Sequence, residues 1–270
     1  PMNFPRILKK RKGYIDRIKP FMQKSVAKVL TGQRRVGKSF LLYQLIEEIL
    51  AEEPDANIIY VNLEDFTFSS LQTAEDLHSY IISHSKEKVK NYIFIDEIQD
   101  IPGFEKVIRS LLLNEDNDIY ITGSNAKMLS GELATYLSGR YIEFKIYSLS
   151  YSEFLEFHGL TESETSYELY SRYGGLPYLL NLPLEDETVN EYLKSVYSTI
   201  VFRDVVSRYK LRNTLFLEKL IQFLSENIGN LFSAKNISDY LKSQHTAISV
   251  NQIQSYTEYL NNAFLIHRVE

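Results

Sequence analysis

The stretch VLTGQRRVGKSFLL, residues 29–42, contains the spacing G-x-x-x-x-G-K-S. Gly32 opens a loop, Gly37 closes it, and Lys38 and Ser39 follow directly. In this spacing the main-chain N–H groups can surround a phosphate, the lysine can reach the outer phosphates of a nucleotide, and the hydroxyl can ligate Mg²⁺. The stretch therefore predicts a phosphate-binding loop.

The residues on either side of the loop agree with this prediction. SVAKVLT (25–31) is a short, mostly apolar run that predicts a buried strand, and apolar residues recur at helical spacing over 38–53. The helix would direct the positive end of its dipole toward the phosphates. The predicted nucleotide-binding residues of the loop are Gly32, Gln33, Arg34, Arg35, Val36, Gly37, Lys38, Ser39 and Phe40.

A second stretch, YIFIDEIQD (92–100), predicts the acidic partners of the loop. Asp96 and Glu97 follow a mostly apolar run, so they stand at the carboxyl end of a predicted strand, which is the ligand-binding edge of a parallel sheet. Asp96 suits coordination of Mg²⁺, as Ser39 does, and Glu97 suits orientation and deprotonation of an attacking water. The alternative is a surface Asp-Glu pair that only ends a strand.

Two further stretches carry candidate catalytic residues. IYITGSNAK (119–127) ends a strand in small polar residues, of which Asn125, beside Thr122 and Ser124, is a candidate for contact with the γ-phosphate or the attacking water. A strand-to-helix turn capped by Ser124 or Asn125 is the alternative. Arg140, in YLSGRYIEF, is a candidate arginine finger in its own subunit or in a neighbour's, and a surface arginine is the alternative.

The chain as a whole alternates strands and helices up to about residue 150 and is helical afterwards. Strands are predicted at 25–31, 57–63, 91–95, 118–122 and 140–146, and helices at 38–53, 71–85, 103–113 and 126–137. This alternation predicts an α/β fold with a parallel sheet covered on both faces. In the helical part, Ser249 and Gln252 predict a capping box, and the last residues, AFLIHRVE, predict the beginning of a strand.

We predict four segments from this organisation. They are a basic N-terminal arm (1–24), a P-loop core (25–150), a helical lid (151–212) and a winged-helix domain cut at its wing (213–270). Residues 1–28 hold nine Lys or Arg against one Asp, which we interpret as a solvated arm.

Composition excludes several classes of function. The chain has 270 residues, a net charge of −5 and no cysteine, so thiol catalysis and Cys-ligated zinc are excluded. No apolar run approaches the roughly 20 residues of a membrane span, and no apolar signal core opens the chain. We therefore expect a cytoplasmic protein without a membrane partner.

Four motifs in a fixed order carry a family resemblance. GQRRVGKS, IFIDEIQ, ITGSN and LSGR resemble the motifs of prokaryotic AAA+ ATPases, the P-loop group with an additional strand and a catalytic glutamate. GGLP, before Tyr178, resembles the lid motif of the STAND and Orc-like branch, which implies that Pro177 packs near the adenine. The resemblance extends over about residues 10–265.

This resemblance implies a sheet order of 5-1-4-3-2 and the roles given above for Lys38, Ser39, Asp96 and Glu97. It also implies an arginine finger at Arg140. In the family a winged helix follows the lid, and a nuclease-like domain of unclear function often follows the winged helix.

The function predicted from these features is Mg²⁺-dependent ATP hydrolysis coupled to movement of the lid and the winged helix. The alternative is a slow switch that holds ATP or ADP and controls a partner. Glu97 favours hydrolysis, whereas the lid motif favours the switch. A small-molecule kinase would need a second substrate motif, and GTP would need an N-K-x-D motif, and we find neither.

The expected partners are a second copy of the chain, a protein, or a further C-terminal domain. DNA has less support. The predicted helix 249–264 carries amides that can read bases, but no Lys or Arg stands between Lys242 and Arg268, so the attraction to phosphates is lacking there.

Overall fold

The computed structural model describes residues 9–126, 137, 139–243 and 248–268. The chain divides into two compact units, Pro1–Tyr192 and Leu193–Glu270. Apart from its two end residues, the predicted helix over 126–137 lies outside the described residues.

The first unit is built on a five-stranded parallel sheet. Its strands are β1 (Ala27–Thr31), β2 (Asn57–Asn62), β3 (Asn91–Asp96), β4 (Asn117–Gly123) and β5 (Tyr141–Lys145). They lie in the order β2-β3-β4-β1-β5, and every neighbouring pair is parallel. This confirms the predicted fold class and the predicted order 5-1-4-3-2.

Helices cover both faces of this sheet. Those before β4 are α1 (Lys12–Ile18), α2 (Lys38–Glu52), α3 (Ala74–His84) and α4 (Phe104–Leu111). Successive strand residues point to opposite faces, so Val29 and Ile93 pack with α3 and α4, whereas Leu30 and Phe94 pack with α1 and α2. Burial on both faces explains why these strands read as apolar runs in the sequence.

The N-terminal segment corrects one prediction. Over residues 9–24 it is not a solvated arm, because Arg11, Ile15 and Ile18 are buried. Ile18 belongs to the cluster of the α2 face. The prediction rested on the charge of the segment and overlooked Ile15 and Ile18, two apolar residues at helical spacing.

Helices also follow β5 in the first unit. They are α5 (Tyr151–His158), α6 (Glu164–Tyr173), a 3₁₀ turn (Pro177–Asn181) and α7 (Asp186–Thr199), whose last residues belong to the second unit. Gly174, with φ 73°, ends α6, and Pro177 begins the 3₁₀ turn. The GGLP motif is thus a break between two helical elements, as predicted.

The second unit is helical in its described residues. A π-helix (Ile200–Ser207) is followed by α8 (Thr214–Glu226), α9 (Ala234–Ser243) and α10 (Val250–Asn262). The predicted capping box of Ser249 and Gln252 opens α10. Whether these helices form a winged helix stays a prediction.

The prediction of a strand at the end of the chain was wrong over residues 263–268, where a turn (263–264) and a bend (265–266) are followed by two residues without regular structure. Leu265 N–H donates to Leu260 O and Phe264 N–H donates to Asn261 O, both at 3.0 Å. With Phe264 at φ 56°, these bonds form a Schellman motif, which caps α10 and turns the chain out of an extended path.

No helix among the described residues combines the length and the apolar composition that crossing a membrane requires.

Candidate functional site

The candidate site begins with the main chain between β1 and α2. Gly32, Arg35 and Gly37 have φ values of 154°, 70° and 93°. A β-carbon on Gly32 would stand 2.1 Å from the carbonyl oxygen of Ile146, so only glycine fits there. The first helical bond of α2 runs from Leu41 N–H to Gly37 O, so the amides at the start of α2 face the loop. This is an anion-binding arrangement.

Lys38 lies inside this loop. Its side chain is buried, and Nζ donates to the carbonyl oxygens of Gly32 and Gln33, both at 3.0 Å. Nζ also lies 3.7 Å from Oε1 of Glu97. The structure therefore brings the predicted phosphate-binding lysine and the predicted base together at the carboxyl edge of the sheet.

Asp96 ends β3 and is held by three hydroxyl groups. Ser39 hydrogen-bonds its carboxylate, Thr122 donates to Oδ1, and Tyr60 OH lies 3.4 Å from Oδ2. Burial raises the pKa of Asp96, and this effect outweighs the hydrogen bonds from Ser39 and Thr122, which lower it. A buried carboxylate beside a hydroxyl is an oxygen donor set that fits Mg²⁺.

Glu97 follows Asp96 in a left-handed conformation, with φ 57° and ψ 45°. Its N–H donates to Thr122 Oγ1 at 2.9 Å, and its Oε2 accepts from Gln99 Nε2 at 2.6 Å and from Ser124 Oγ at 2.9 Å. A positive φ at a residue other than glycine costs energy and often marks a functional position. In this conformation Glu97 contacts the side chains of Thr122, Gln99 and Ser124 and lies close to Lys38.

The charge state of Glu97 follows from these contacts. Burial raises the pKa of its carboxyl group, but the Lys38 ammonium, the Gln99 amide, the Arg34 guanidinium and the Ser124 hydroxyl lower it by more. The net pKa lies below the ordinary value, so Glu97 is ionised at neutral pH. An ionised carboxylate can accept a proton.

The end of β4 and the residues after it line the same edge. Thr122 and Ser124 contact the acidic pair directly, and Asn125 follows them as a buried residue. Asn125 was the candidate chosen from the sequence, and its contact with a nucleotide or water stays a prediction.

The side chains of the other predicted loop residues differ in their surroundings. Arg34 is buried and pairs with Glu64 at 2.7 Å, beyond the end of β2. Val36 packs in the hydrophobic cluster of the α2 face, so only its main chain is left for a ligand. Arg35 and Phe40 are exposed.

The GGLP motif lies against the loop. A β-carbon on Gly37 would stand 3.6 Å from Cγ of Pro177. Position 175 requires glycine, because a β-carbon there would stand 2.2 Å from the carbonyl oxygen of Leu149. The structure therefore brings Pro177 to the predicted nucleotide site, and adenine contact by this residue stays a prediction.

Arg140 is the predicted site residue that the structure does not bring to this edge. It is exposed, and its carbonyl oxygen accepts from Ala27 N–H at the start of β1. The phosphate loop follows the other end of β1, about 16 Å away at 3.3 Å per residue. Contact of Arg140 with a phosphate in its own chain therefore has no support in this arrangement.

Sequence reasoning missed two residues of this region, Gln99 and Arg11. Gln99 belongs to the DEIQ motif, so its fixed spacing from Glu97 was a usable signal. Arg11 donates to both carboxylate oxygens of Glu153 at 2.8 Å and to the carbonyls of Tyr147 (2.9 Å) and Val36 (3.3 Å). It gave no local signal, because it stands among other basic residues.

Comparison with known proteins agrees with this architecture. Residues 24–155 match the model of an AAA domain, and residues 164–270 match a domain of unknown function. An uncharacterized protein of Haemophilus influenzae is 37% identical over 96% of this chain and 66% of its own length. One of Methanocaldococcus jannaschii is 33% identical over 88% of this chain and 55% of its own length. The chain thus spans between about half and two thirds of these relatives.

Solved structures with a similar course include Aeropyrum pernix Orc1 in complex with DNA, with a TM-score of 0.47 and 13% identity over 96% of this chain and 85% of that one. Domain III of the Thermotoga maritima replication initiation protein DnaA gives a TM-score of 0.45 and 14% identity over 74% and 89%. The AAA domain model over residues 24–155 and the sheet order together assign this part of the chain to the AAA+ superfamily of P-loop ATPases.

Proposed function

We propose that this chain binds ATP with Mg²⁺ and hydrolyses it, and that the nucleotide state moves the helical elements after β5. The observation that carries the proposal is the meeting of Lys38, Asp96 and Glu97 at one sheet edge, with Lys38 Nζ 3.7 Å from Glu97 Oε1. A phosphate-binding cation, a carboxylate suited to Mg²⁺ and an ionised base are the groups that hydrolysis of a phosphoanhydride requires.

The loop and Lys38 bind the phosphates in this proposal. The main-chain amides of the loop and the start of α2 surround the β-phosphate, and Lys38 exchanges its bonds to the Gly32 and Gln33 carbonyls for phosphate oxygens. Ser39 and Asp96 would hold Mg²⁺, which supplies charge neutralisation at the phosphate oxygens when bound.

Glu97 orients the attacking water and takes its proton. Its carboxylate is ionised and buried, so it remains a base at neutral pH and is shielded from bulk water. Thr122 holds Asp96 and the main chain of Glu97 together. The acid that binds the metal and the acid that acts on water thus keep a fixed separation.

The experiment that tests this function measures ATP turnover with Mg²⁺ by the chain, by Glu97→Gln and by Lys38→Ala, at several protein concentrations. We expect Glu97→Gln to bind ATP and to lose turnover by about 10²–10⁴-fold, and Lys38→Ala to lose binding as well. Turnover that persists in Glu97→Gln would contradict the proposal.

A slow nucleotide-held switch is the second candidate, and the position of Pro177 favours it. Pro177 lies against Gly37, so in this second proposal a nucleotide bound in the loop lies next to the GGLP segment and shifts its position. ATP binding that Lys38→Ala abolishes, without measurable turnover in the unmodified chain, would support the switch over the ATPase. A protein, a second copy or DNA as the controlled partner remains part of this proposal.

A further inference from the structure

Gln99 lies in the 3₁₀ turn Ile98–Asp100, directly after Glu97. Its Nε2 donates to Glu97 Oε2 at 2.6 Å. Because the amide nitrogen makes this contact, the amide oxygen of Gln99 is the atom that stays available for another donor.

The amide oxygen of Gln99 is buried and has no hydrogen-bond partner among the described residues. Leaving a buried acceptor without a partner is unfavourable, so such groups usually serve a bound water or ligand. Its position matters here, because it shares one carbon atom with the nitrogen that holds the predicted base. An acceptor without a partner in the described part of the chain thus lies one amide group away from the carboxylate oxygen that Nε2 contacts.

The two oxygens of Glu97 are used unequally. Oε2 accepts from both Gln99 and Ser124, whereas Oε1 lies 3.7 Å from Lys38 Nζ. Donors on Oε2 fix the plane of the carboxylate and leave lone pairs on Oε1, on the side of Lys38. A water on that side would lie between the base and the γ-phosphate that Lys38 is proposed to bind.

We propose that Gln99 is a further catalytic residue, which holds the attacking water together with Glu97. The water donates one O–H to the carboxylate of Glu97 and the other to Oε1 of Gln99, and its lone pair points to the γ-phosphorus. The water oxygen bonds to phosphorus, the bond from phosphorus to the bridging oxygen breaks, ADP leaves with that electron pair, and Glu97 takes the proton. This inference rests on the proposed hydrolysis.

A purely structural Gln99 would only hold the turn after Glu97, and two measurements separate this role from the proposed one. A residue that contacts the attacking water acts on kcat rather than on KM. It also contributes to binding of ADP with aluminium fluoride, which mimics the transition state, more than to binding of ADP with beryllium fluoride, which mimics bound ATP.

The experiment compares the unmodified chain with Gln99→Leu, Gln99→Asn and Gln222→Leu. Leucine keeps the volume and removes both amide atoms, asparagine keeps the amide on a shorter side chain, and Gln222 is a glutamine outside the site that donates to Glu226 and serves as the matched control. For each protein we would measure the melting temperature, kcat and KM for ATP, and the affinity for ADP with each fluoride.

We expect Gln99→Leu to lose kcat by about 10²–10³-fold with KM unchanged, Gln99→Asn to recover part of that loss, and Gln222→Leu to match the unmodified chain. Only the affinity for the aluminium fluoride complex should fall in Gln99→Leu. If Gln99→Leu does not fold, Gln99→Asn carries the same test through its kcat and its aluminium fluoride affinity.

An unmodified chain that hydrolyses ATP while folded Gln99 variants keep its kcat and its aluminium fluoride affinity would overturn this inference and leave the proposed function standing. An unmodified chain that binds ATP but neither hydrolyses it nor prefers aluminium fluoride would overturn both.

Discussion

At the scale of single residues, Thr122 connects the two acidic residues of the site. Its hydroxyl accepts from Glu97 N–H at 2.9 Å and donates to the carboxylate of Asp96, and it is fully buried. A hydroxyl can do both at once, because it is a donor and an acceptor. Thr122 therefore orients the carboxylate of Asp96 and fixes the main chain of Glu97 beside it.

We predict that Thr122→Val lowers the free energy of unfolding by about 1–3 kcal/mol, because it leaves a buried N–H and a buried carboxylate short of a partner. The Mg²⁺ concentration for half-maximal turnover should rise as Asp96 loses its orientation. Chemical denaturation and a Mg²⁺ titration measure the two effects. Thr122→Ser keeps the hydroxyl and should stay close to the unmodified chain, and equal behaviour of the valine and serine variants would refute the prediction.

Gly32 is the second residue that a local substitution can test. We predict that Gly32→Ala abolishes nucleotide binding and destabilises the chain, because its β-carbon would meet the Ile146 carbonyl at 2.1 Å. Gly103→Ala is the control, since Gly103 has φ 76° but nothing within 4 Å of an added β-carbon. The control should lose only the cost of left-handed backbone, about 1–2 kcal/mol. Chemical denaturation measures the stability of both variants, and nucleotide titration measures their affinity. A Gly32→Ala chain that still binds nucleotide would contradict the prediction.

At the scale of elements, the segment before α1 connects parts of the first unit that are distant in sequence. Arg11 bonds to the carbonyl of Val36 in the loop, to the carbonyl of Tyr147 after β5, and to Glu153 in α5. Glu153 is also the N3 residue of the capping box that Ser150 opens. Through the ion pair with Glu153 and the hydrogen bond to Val36 O, Arg11 thus joins the first helix after the sheet to the phosphate loop.

The pH dependence of stability tests this ion pair. Burial raises the pKa of Glu153, but hydrogen bonds from Arg11 and Ser150 lower it by more, so its folded pKa lies below the ordinary value of 4.5. A lowered folded pKa contributes stability above the unfolded pKa, and this contribution is lost as the pH falls through the folded value.

We therefore predict that Glu153→Gln is less stable than the unmodified chain at about pH 7 and that the difference shrinks as the pH falls below about 4.5. Urea denaturation at a series of pH values measures this difference. Glu156→Gln, at another glutamate of α5, is the control variant. A stability difference between the Glu153→Gln variant and the unmodified chain that stays constant over this pH range would speak against the ion pair.

At the scale of the whole molecule, the position of Arg140 bears on assembly. Arg140 is exposed beside the start of β1, whereas the phosphate loop follows its end. If Arg140 stabilises a phosphate, it therefore has to do so in a neighbouring copy of the chain.

Mixing two inactive variants tests such a contact. We predict that Arg140→Ala loses at least about tenfold in turnover and that mixing it with Glu97→Gln restores turnover above the sum of the two. In the mixture, the Glu97→Gln subunit keeps its arginine and the Arg140→Ala subunit keeps its base. The arginine of the first subunit can then act at the nucleotide site of the second, where Glu97 is intact. Turnover per subunit of the unmodified chain should rise with protein concentration. Full activity of Arg140→Ala alone would exclude an arginine finger at this position.

The sequence by itself determined the sheet, the phosphate loop and the position of the acidic pair. Strands buried on both faces are apolar runs, helices repeat every 3.6 residues, and the conformation of a phosphate loop depends on glycines at fixed spacing, so each signal is local. Parallel strands also place their carboxyl ends at one edge, which is why Gly32, Asp96 and Asn125 could be assigned to that edge. Two predictions were wrong, and both concern short segments. In residues 9–24 the many charges drew attention away from the helical spacing of α1, and in residues 263–268 an apolar run was interpreted as a strand where it caps α10.

Only the tertiary structure decided which side chains complete the site and the core. Lys28 stands in a strand that reads as apolar, and it is buried because it pairs with Asp118 on the neighbouring strand and lies over the ring of Tyr120. Arg11 and Glu153 lie 142 positions apart, and Gly37 and Pro177 are similarly distant in the sequence. A partner that far along the chain leaves no periodicity in the sequence. Its choice depends on packing and on the need of every buried polar group for a partner, which exist only once the chain has folded.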